Sequence, residues 1–116
     1  MIKVSLDEGY VFDLLAIYAV KIDNSDGDKK KQSLKNYNLL SNEIIEEIGI
    51  EKFTDVILSD EYLNLKNSNQ KVFELVDRAS ENKLAKSTAD ANYKRYICKT
   101  KLQQNFFNTS LSEVKL

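Results

Sequence analysis

Apolar residues recur at helical spacing through most of this chain. In the first long pattern they follow one another three or four residues apart, which places them on one face of a helix: Val11, Leu14, Leu15, Tyr18 and Ile22. The pattern predicts a helix over about 8–22, with Asp7 or Ser5 as its N-cap. Before it, Ile2, Val4 and Leu6 alternate with polar residues, so residues 2–6 are expected to form a short strand or an extended arm.

Turn signals divide the rest of the chain into further helical segments. A second apolar pattern follows a basic start at residues 29–31 and ends at Gly49, a typical C-cap residue. A short helix is predicted over 51–58. Ser59 is a good N-cap for the next helix, which should run to about residue 82. The last pattern begins at 85 and reaches 108, with a buried stripe of Ala85, Ala89, Asn92, Tyr96, Gln103 and Phe107.

The segments together predict an all-α fold. We expect a single domain over residues 1–116, built as an antiparallel bundle of three long helices and one short helix with a short N-terminal extended arm. Residues 109–116 would form a C-terminal tail. Because the last helix is long, part of its aromatic stripe should extend beyond its neighbours and need cover. A two-fold homodimer is the simplest way to provide that cover.

Composition excludes several familiar kinds of active site. The chain has no histidine, no proline and one cysteine, Cys98. A Ser-His-Asp triad and a histidine-containing zinc site are therefore excluded, and Cys98 cannot form an intrachain disulfide. The N-terminus lacks the apolar core of a signal peptide, and the apolar-rich run at 11–22 is too short to cross a bilayer. We expect a cytoplasmic protein with no cofactor and no membrane partner.

Charge is distributed unevenly although the net charge is only −1. Residues 1–82 carry 10 basic and 16 acidic side chains, whereas residues 83–116 carry 7 basic and 2 acidic ones. This asymmetry could favour docking within the chain, antiparallel self-association or an anionic partner at the C-terminal end. Nucleic acid is not the expected one, because domains that bind it by charge are usually net basic. The candidate binding residues are Asn92, Lys94, Arg95 and Lys101.

Two acidic pairs offer an enzymatic alternative. Glu43-x-x-Glu46 precedes Glu74-x-x-Asp77, and this spacing resembles the ExxE…ExxD arrangement of all-α nucleotide pyrophosphatases. Carboxylate oxygens are the ligands that Mg²⁺ requires. The helical wheel turns both pairs away from the apolar stripes, so we predict solvent-facing pairs and no metal site.

Several segments resemble a family of small uncharacterised bacterial and phage helical proteins. The similarity is carried by residues 2–5, 13–17 and 21–22, which match a "VS.GE..DKLTIL.IK" opening, and by residues 92–95, 99, 105 and 111–115, which match an "ND.RA..K..IN…L.EEKSY" pattern. Tyr93 stands where that family has Asp. The resemblance implies an α-helical domain of phage or bacterial origin and no particular activity.

The function expected from these observations is that of a small accessory or interaction protein without enzymatic activity. It would form a homodimer and bind a protein partner through the outward basic ridge of the last helix or through the dimer groove. One alternative is a Mg-dependent nucleotide pyrophosphatase using the two acidic pairs. A second is an anion or nucleic-acid binder that uses the basic last helix.

Overall fold

Five helices make up the computed structural model, which describes residues 1–2, 4–77 and 85–108. They are α1 (Glu8–Asp23), α2 (Gly27–Ile48), α3 (Ile50–Ile57), α4 (Asp60–Asp77) and α5 (Ala85–Phe106). The described residues contain no strand, and the predicted all-α class is confirmed. The expected number of helices is wrong by one, because four helices have 16 or more residues and α3 has eight.

Helix α1 lies at the centre of the fold and packs against α2, α4 and α5. Its side chains Phe12, Leu15 and Ala16 are completely buried. The Phe12 ring contacts three other aromatic rings, with centroids 6.1–6.3 Å away, namely those of Phe53, Tyr62 and Phe107. Burial of these apolar side chains removes apolar surface from water and stabilises the packing of α1 against its neighbours.

Helix α5 runs antiparallel to both of its neighbours. Residues 8 and 9 of α1 bond to residue 103 of α5, and residue 13 bonds to residue 95. In the same way, Glu61 of α4 accepts a hydrogen bond from Asn105, and Ser68 lies 3.3 Å from Cys98. Residue numbers that rise along α1 or α4 therefore pair with numbers that fall along α5. Helices α1 and α4 consequently run in the same general direction.

Two of the predicted helix boundaries are confirmed at the level of individual atoms. Gly49 ends α2 with a φ of 88°, a left-handed conformation that a side chain would strain. Ser59 precedes α4, and its Oγ accepts a hydrogen bond from the Tyr62 N–H at 3.1 Å. The N-terminal residues before α1 that the structure describes contain neither helix nor strand, and Met1, Ile2, Val4 and Leu6 are exposed.

The buried face of α5 differs from the predicted stripe by a rotation of the helix. Ala91 and Leu102 are buried, and Arg95 and Cys98 between them are half-buried. Of the predicted stripe, Gln103 is buried, whereas Ala89 and Asn92 are exposed and Tyr96 is 43% exposed. The prediction assigned Tyr96 to the buried stripe and left Arg95 outside it. It failed because an aspartate on α1 neutralises Arg95. The expected end of the fourth helix near residue 82 and the tail at 109–116 lie outside the described residues.

Burial of Tyr62 predicts a loss of stability in alkaline solution. Burial, and to a smaller extent the neighbouring Tyr37 hydroxyl, raises the pKa of the Tyr62 phenol well above its ordinary value of 10.0. The raised pKa means that the fold favours neutral Tyr62, so this contribution is complete below about pH 10 and declines as the pH rises further. In urea unfolding at increasing pH, Tyr62→Phe should lose less stability than the wild type. Tyr93→Phe, at an exposed position, should behave as the wild type does. If Tyr62→Phe and Tyr93→Phe lost the same free energy of unfolding as the pH rises above 10, the prediction would be contradicted.

Candidate functional site

A buried ion pair joins α1 to α5. Asp13 is only 5% exposed, and its Oδ2 lies 2.7 Å from Arg95 Nη2. Arg95 Nε donates to both carboxylate oxygens, at 3.1 and 3.2 Å. From α4, Asn69 Nδ2 donates to Asp13 Oδ1 at 2.8 Å. Three helices therefore meet at one carboxylate, and its oxygens receive the hydrogen bonds that a buried charge requires.

The electrostatics of this contact keep Arg95 positively charged. Its hydrogen bonds to Asp13 raise the pKa of the guanidinium, an effect that partial burial opposes and the attraction of the Asp13 charge reinforces. A guanidinium remains protonated at any pH at which proteins fold. Arg95 therefore remains a cation beside the Asp13 carboxyl group, and the contact holds the middle of α5 against α1.

A second polar contact holds the start of α1 against the end of α5. Gln103 Oε1 accepts a hydrogen bond from the Gly9 N–H at 2.6 Å, and Gln103 Nε2 donates to Glu8 Oε1 at 2.9 Å. The N–H groups in the first turn of a helix have no partner within that helix, and Gln103 supplies one from α5. A Cβ on Gly9 would stand 2.8 Å from the Lys99 carbonyl oxygen, so the backbones approach closely here.

A cleft of about 290 Å³ opens between α1 and α5 beside the ion pair. The Asp13–Arg95 pair lines it, together with the partly exposed apolar side chains Leu14 and Ile17. Tyr10, Asn92, Tyr96 and Lys99 complete the lining. The Lys99 ammonium lies 4.9 Å from the ring centroid of Tyr10 and 5.6 Å from that of Tyr96, both within cation–π range.

The structure brings only two of the four predicted binding residues together. Asn92 and Arg95 line the cleft between α1 and α5. Lys94 instead lines a second cleft of about 400 Å³ between α4 and α5, and Lys101 is exposed. Asn92 was expected to be buried, but it is exposed and its Nδ2 donates to the Thr88 carbonyl within α5 at 3.3 Å. That expectation was wrong because α5 is rotated relative to the predicted stripe.

Three residues of the site are not among the four predicted binding residues, namely Tyr10, Asp13 and Lys99. Asp13 carried a usable signal, since it is a charged residue next to Phe12 and Leu14 in the most apolar helical pattern of the chain. A carboxylate in such a position must find a cation or hydrogen-bond donors when the helix is buried. Tyr10 and Lys99 carried no comparable signal, because their importance depends on how α1 meets α5.

No protein-family model, curated protein or solved structure matches this chain. The resemblance to small bacterial and phage proteins therefore remains a prediction. Within the described residues, no helix is both long and apolar enough to cross a membrane.

The acidic pairs do not converge in the part of the chain that the structure describes. Glu43 and Glu46 on α2 and Glu74 on α4 are all exposed, and the side chain of Asp77 lies outside the described residues. No group of three or more Cys, Asp or Glu side chains among the described residues could hold a metal ion. The geometry gives the pyrophosphatase alternative no support, since Mg²⁺ needs several oxygen ligands around one point.

Proposed function

We propose that this chain is a small non-enzymatic interaction protein whose partner contacts the outward surface of α5. The observation that carries the proposal is a pair of exposed aromatic rings. Tyr93 and Tyr96 are 64% and 43% exposed, and their rings stack with centroids 6.5 Å apart. We call these two side chains the tyrosine pair.

Exposed tyrosines are well suited to binding proteins. Their rings provide a large contact area at a low cost in side-chain entropy, and tyrosine is enriched among the residues that dominate interface energetics. Since the two rings already stack, part of the ordering cost is met before a partner arrives. Lys94 and Lys101 are exposed on the same helix and favour a partner with an acidic surface.

A second copy of the chain is the first partner that we propose. Helix α5 is basic, whereas the end of α2 and the start of α3 are acidic, with Glu43, Glu46, Glu47 and Glu51 all exposed. Two copies could satisfy both surfaces around a two-fold axis, and most small homo-oligomers have that symmetry. The proposal includes a bacterial or phage origin and a cytoplasmic location, where Cys98 would remain a thiol.

Anion or nucleic-acid binding by α5 is a second candidate function. Its support is the presence of exposed Lys86, Lys94 and Lys101 on the helix that carries the tyrosine pair. Bases can stack on tyrosine rings, and lysines can contact phosphates. Retention on heparin that falls steeply with added salt, and that is lost when Lys94 and Lys101 become glutamine, would favour this function over a protein partner.

Sedimentation velocity over a range of concentrations tests the main proposal. The wild type should form a dimer, and the double variant Tyr93→Ala/Tyr96→Ala should shift the equilibrium toward monomer by at least about tenfold, the effect typical of losing interface residues of this kind. The matched control is Leu58→Ala/Leu63→Ala, since these side chains are 78% and 52% exposed and lie at the α3–α4 junction and on α4. If the wild type stays monomeric, a second copy of the chain is not the partner. If both double variants weaken the dimer equally, the tyrosine pair is not its interface.

A further inference from the structure

The cleft between α1 and α5 combines fixed positive charge with an apolar wall. We propose that it binds a small organic anion, consisting of a planar or apolar body that carries one terminal carboxylate or phosphate. The Asp13–Arg95 pair and Lys99 would hold the anionic group, and Leu14 and Ile17 would contact the body. This inference goes beyond the interaction proposed above, because it uses the interior of the cleft; the two share Tyr96, which lines the cleft and belongs to the tyrosine pair.

Arg95 retains donors for a ligand after it has bound Asp13. A guanidinium has five N–H groups, and Asp13 is contacted only through Nε and Nη2. Both hydrogens on Nη1 and the second hydrogen on Nη2 are left over from this contact. The side chain is 28% exposed and lines the cleft, so these donors can be reached from it. Carboxylates and phosphates match such paired donors in geometry.

Lys99 adds a positive charge that no carboxylate among the described residues neutralises in an ion pair. Among the described residues, none places a carboxylate oxygen within 4.0 Å of its ammonium, which instead lies over the rings of Tyr10 and Tyr96. With Asp13 balancing Arg95, Lys99 leaves the cleft with a net positive charge. Walls of low dielectric strengthen the attraction of such a cleft for anions.

The size and the apolar wall of the cleft limit the rest of the ligand. A volume of about 290 Å³ is at the small end for ligand pockets. Leu14 and Ile17 are partly exposed beside it, and a ligand body that covered them would remove apolar surface from water. A molecule with one ring and one anionic group fits these limits, whereas a bare inorganic ion would leave the apolar wall uncovered.

Two-dimensional ¹H–¹⁵N spectra of the full chain would test the proposal. The probes are phenyl phosphate and benzoate, with inorganic phosphate and phenol as the matched molecules that lack the ring or the charge. We expect saturable shifts at residues lining the cleft for at least one of the two ring-bearing anions, and weaker binding of both matched molecules. Preference for one of the two identifies the anionic group as phosphate or carboxylate. No saturable shift with either probe would overturn the proposal.

A pair of lysine variants separates the cleft from general attraction to a basic helix. Lys99→Gln should weaken binding of the better probe by at least about tenfold, as expected for removal of a charge-assisted hydrogen bond. Lys101→Gln removes the same charge from an exposed position outside the cleft lining and should leave affinity unchanged. Equal losses in the two variants would show diffuse attraction and would overturn the proposal.

Discussion

Replacing Arg95 with methionine is expected to lower the free energy of unfolding by about 2–4 kcal/mol. Methionine preserves much of the apolar stem but removes the guanidinium, so among the described residues Asp13 would keep only the Asn69 amide as a side-chain donor from another helix. A buried carboxylate without its cation is among the most destabilising defects in a protein core. The loss should stay below the upper end of the usual range, since Arg95 is 28% exposed and water could partly replace it.

Urea unfolding of matched variants would measure this effect. The control is Lys66→Met, which breaks the 3.0 Å ion pair between Lys66 and Asp23. The Lys66 side chain is 34% exposed and the Asp23 side chain 56%. Surface pairs of this kind contribute about 0–1 kcal/mol. The double variant Asp13→Leu/Arg95→Met should recover much of the stability, because it removes both charges. An Arg95→Met loss no larger than that of Lys66→Met would contradict the structural role given to the pair.

Gly9→Ala should destabilise the protein by about 1–3 kcal/mol, the usual range for steric overpacking. The added Cβ would stand 2.8 Å from the Lys99 carbonyl oxygen and 3.2 Å from Gln103 Cβ. The nearest atom belongs to a helix backbone and cannot rotate away, so α1 and α5 would have to separate. Separation would also stretch the hydrogen bond from the Gly9 N–H to Gln103. Helix propensity alone predicts the opposite sign, because alanine favours a helix by about 1 kcal/mol over glycine.

The sign of the change at Gly9 therefore distinguishes tertiary packing from intrinsic propensity. Gly27→Ala serves as a control, since a Cβ there would meet nothing within 4 Å and only the φ of +60° opposes it. That variant should cost about 1–2 kcal/mol and leave the α5 amide signals unchanged. Gly9→Ala should shift the signals of residues near Lys99 and Gln103. A stabilised Gly9→Ala protein would mean that α1 and α5 do not approach as closely as described.

The helices could be predicted from the sequence because their signals are local. Gly49 can adopt a positive φ, and Ser59 can accept a hydrogen bond from the residue three positions later, whatever the rest of the chain does. The apolar spacing also located α1, although Leu15 is the one buried residue of the predicted face and the buried Phe12 was not part of that face. Each of these features depends on a handful of consecutive residues.

The candidate site could not be predicted in the same way, because it depends on contacts between distant residues. Asp13 and Arg95 are 82 positions apart in the sequence, and the residues around either one do not indicate that the two side chains pair. When that pairing is unknown, Arg95 looks like a solvated charge and Tyr96 like a core residue. The expected buried face of α5 is then rotated away from the observed one. Tyrosine adds to the difficulty, since its ring can lie in a core or on a binding surface. Arg95 was selected as a candidate binding residue from the sequence, but its main partner, Asp13, was missed.

The central claim is that the Asp13–Arg95 pair holds α5 against α1 and thereby shapes the cleft and its surroundings. The chain contains two arginines, Arg78 and Arg95, so the arginine Nε–H region of a ¹H–¹⁵N spectrum should be simple. We predict one Nε–H signal that exchanges slowly with water near neutral pH, because Arg95 Nε donates to both Asp13 oxygens. This signal should vanish in Arg95→Lys and exchange much faster in Asp13→Asn. Two arginine signals that both exchange as fast as a free side chain in the wild type would contradict the claim.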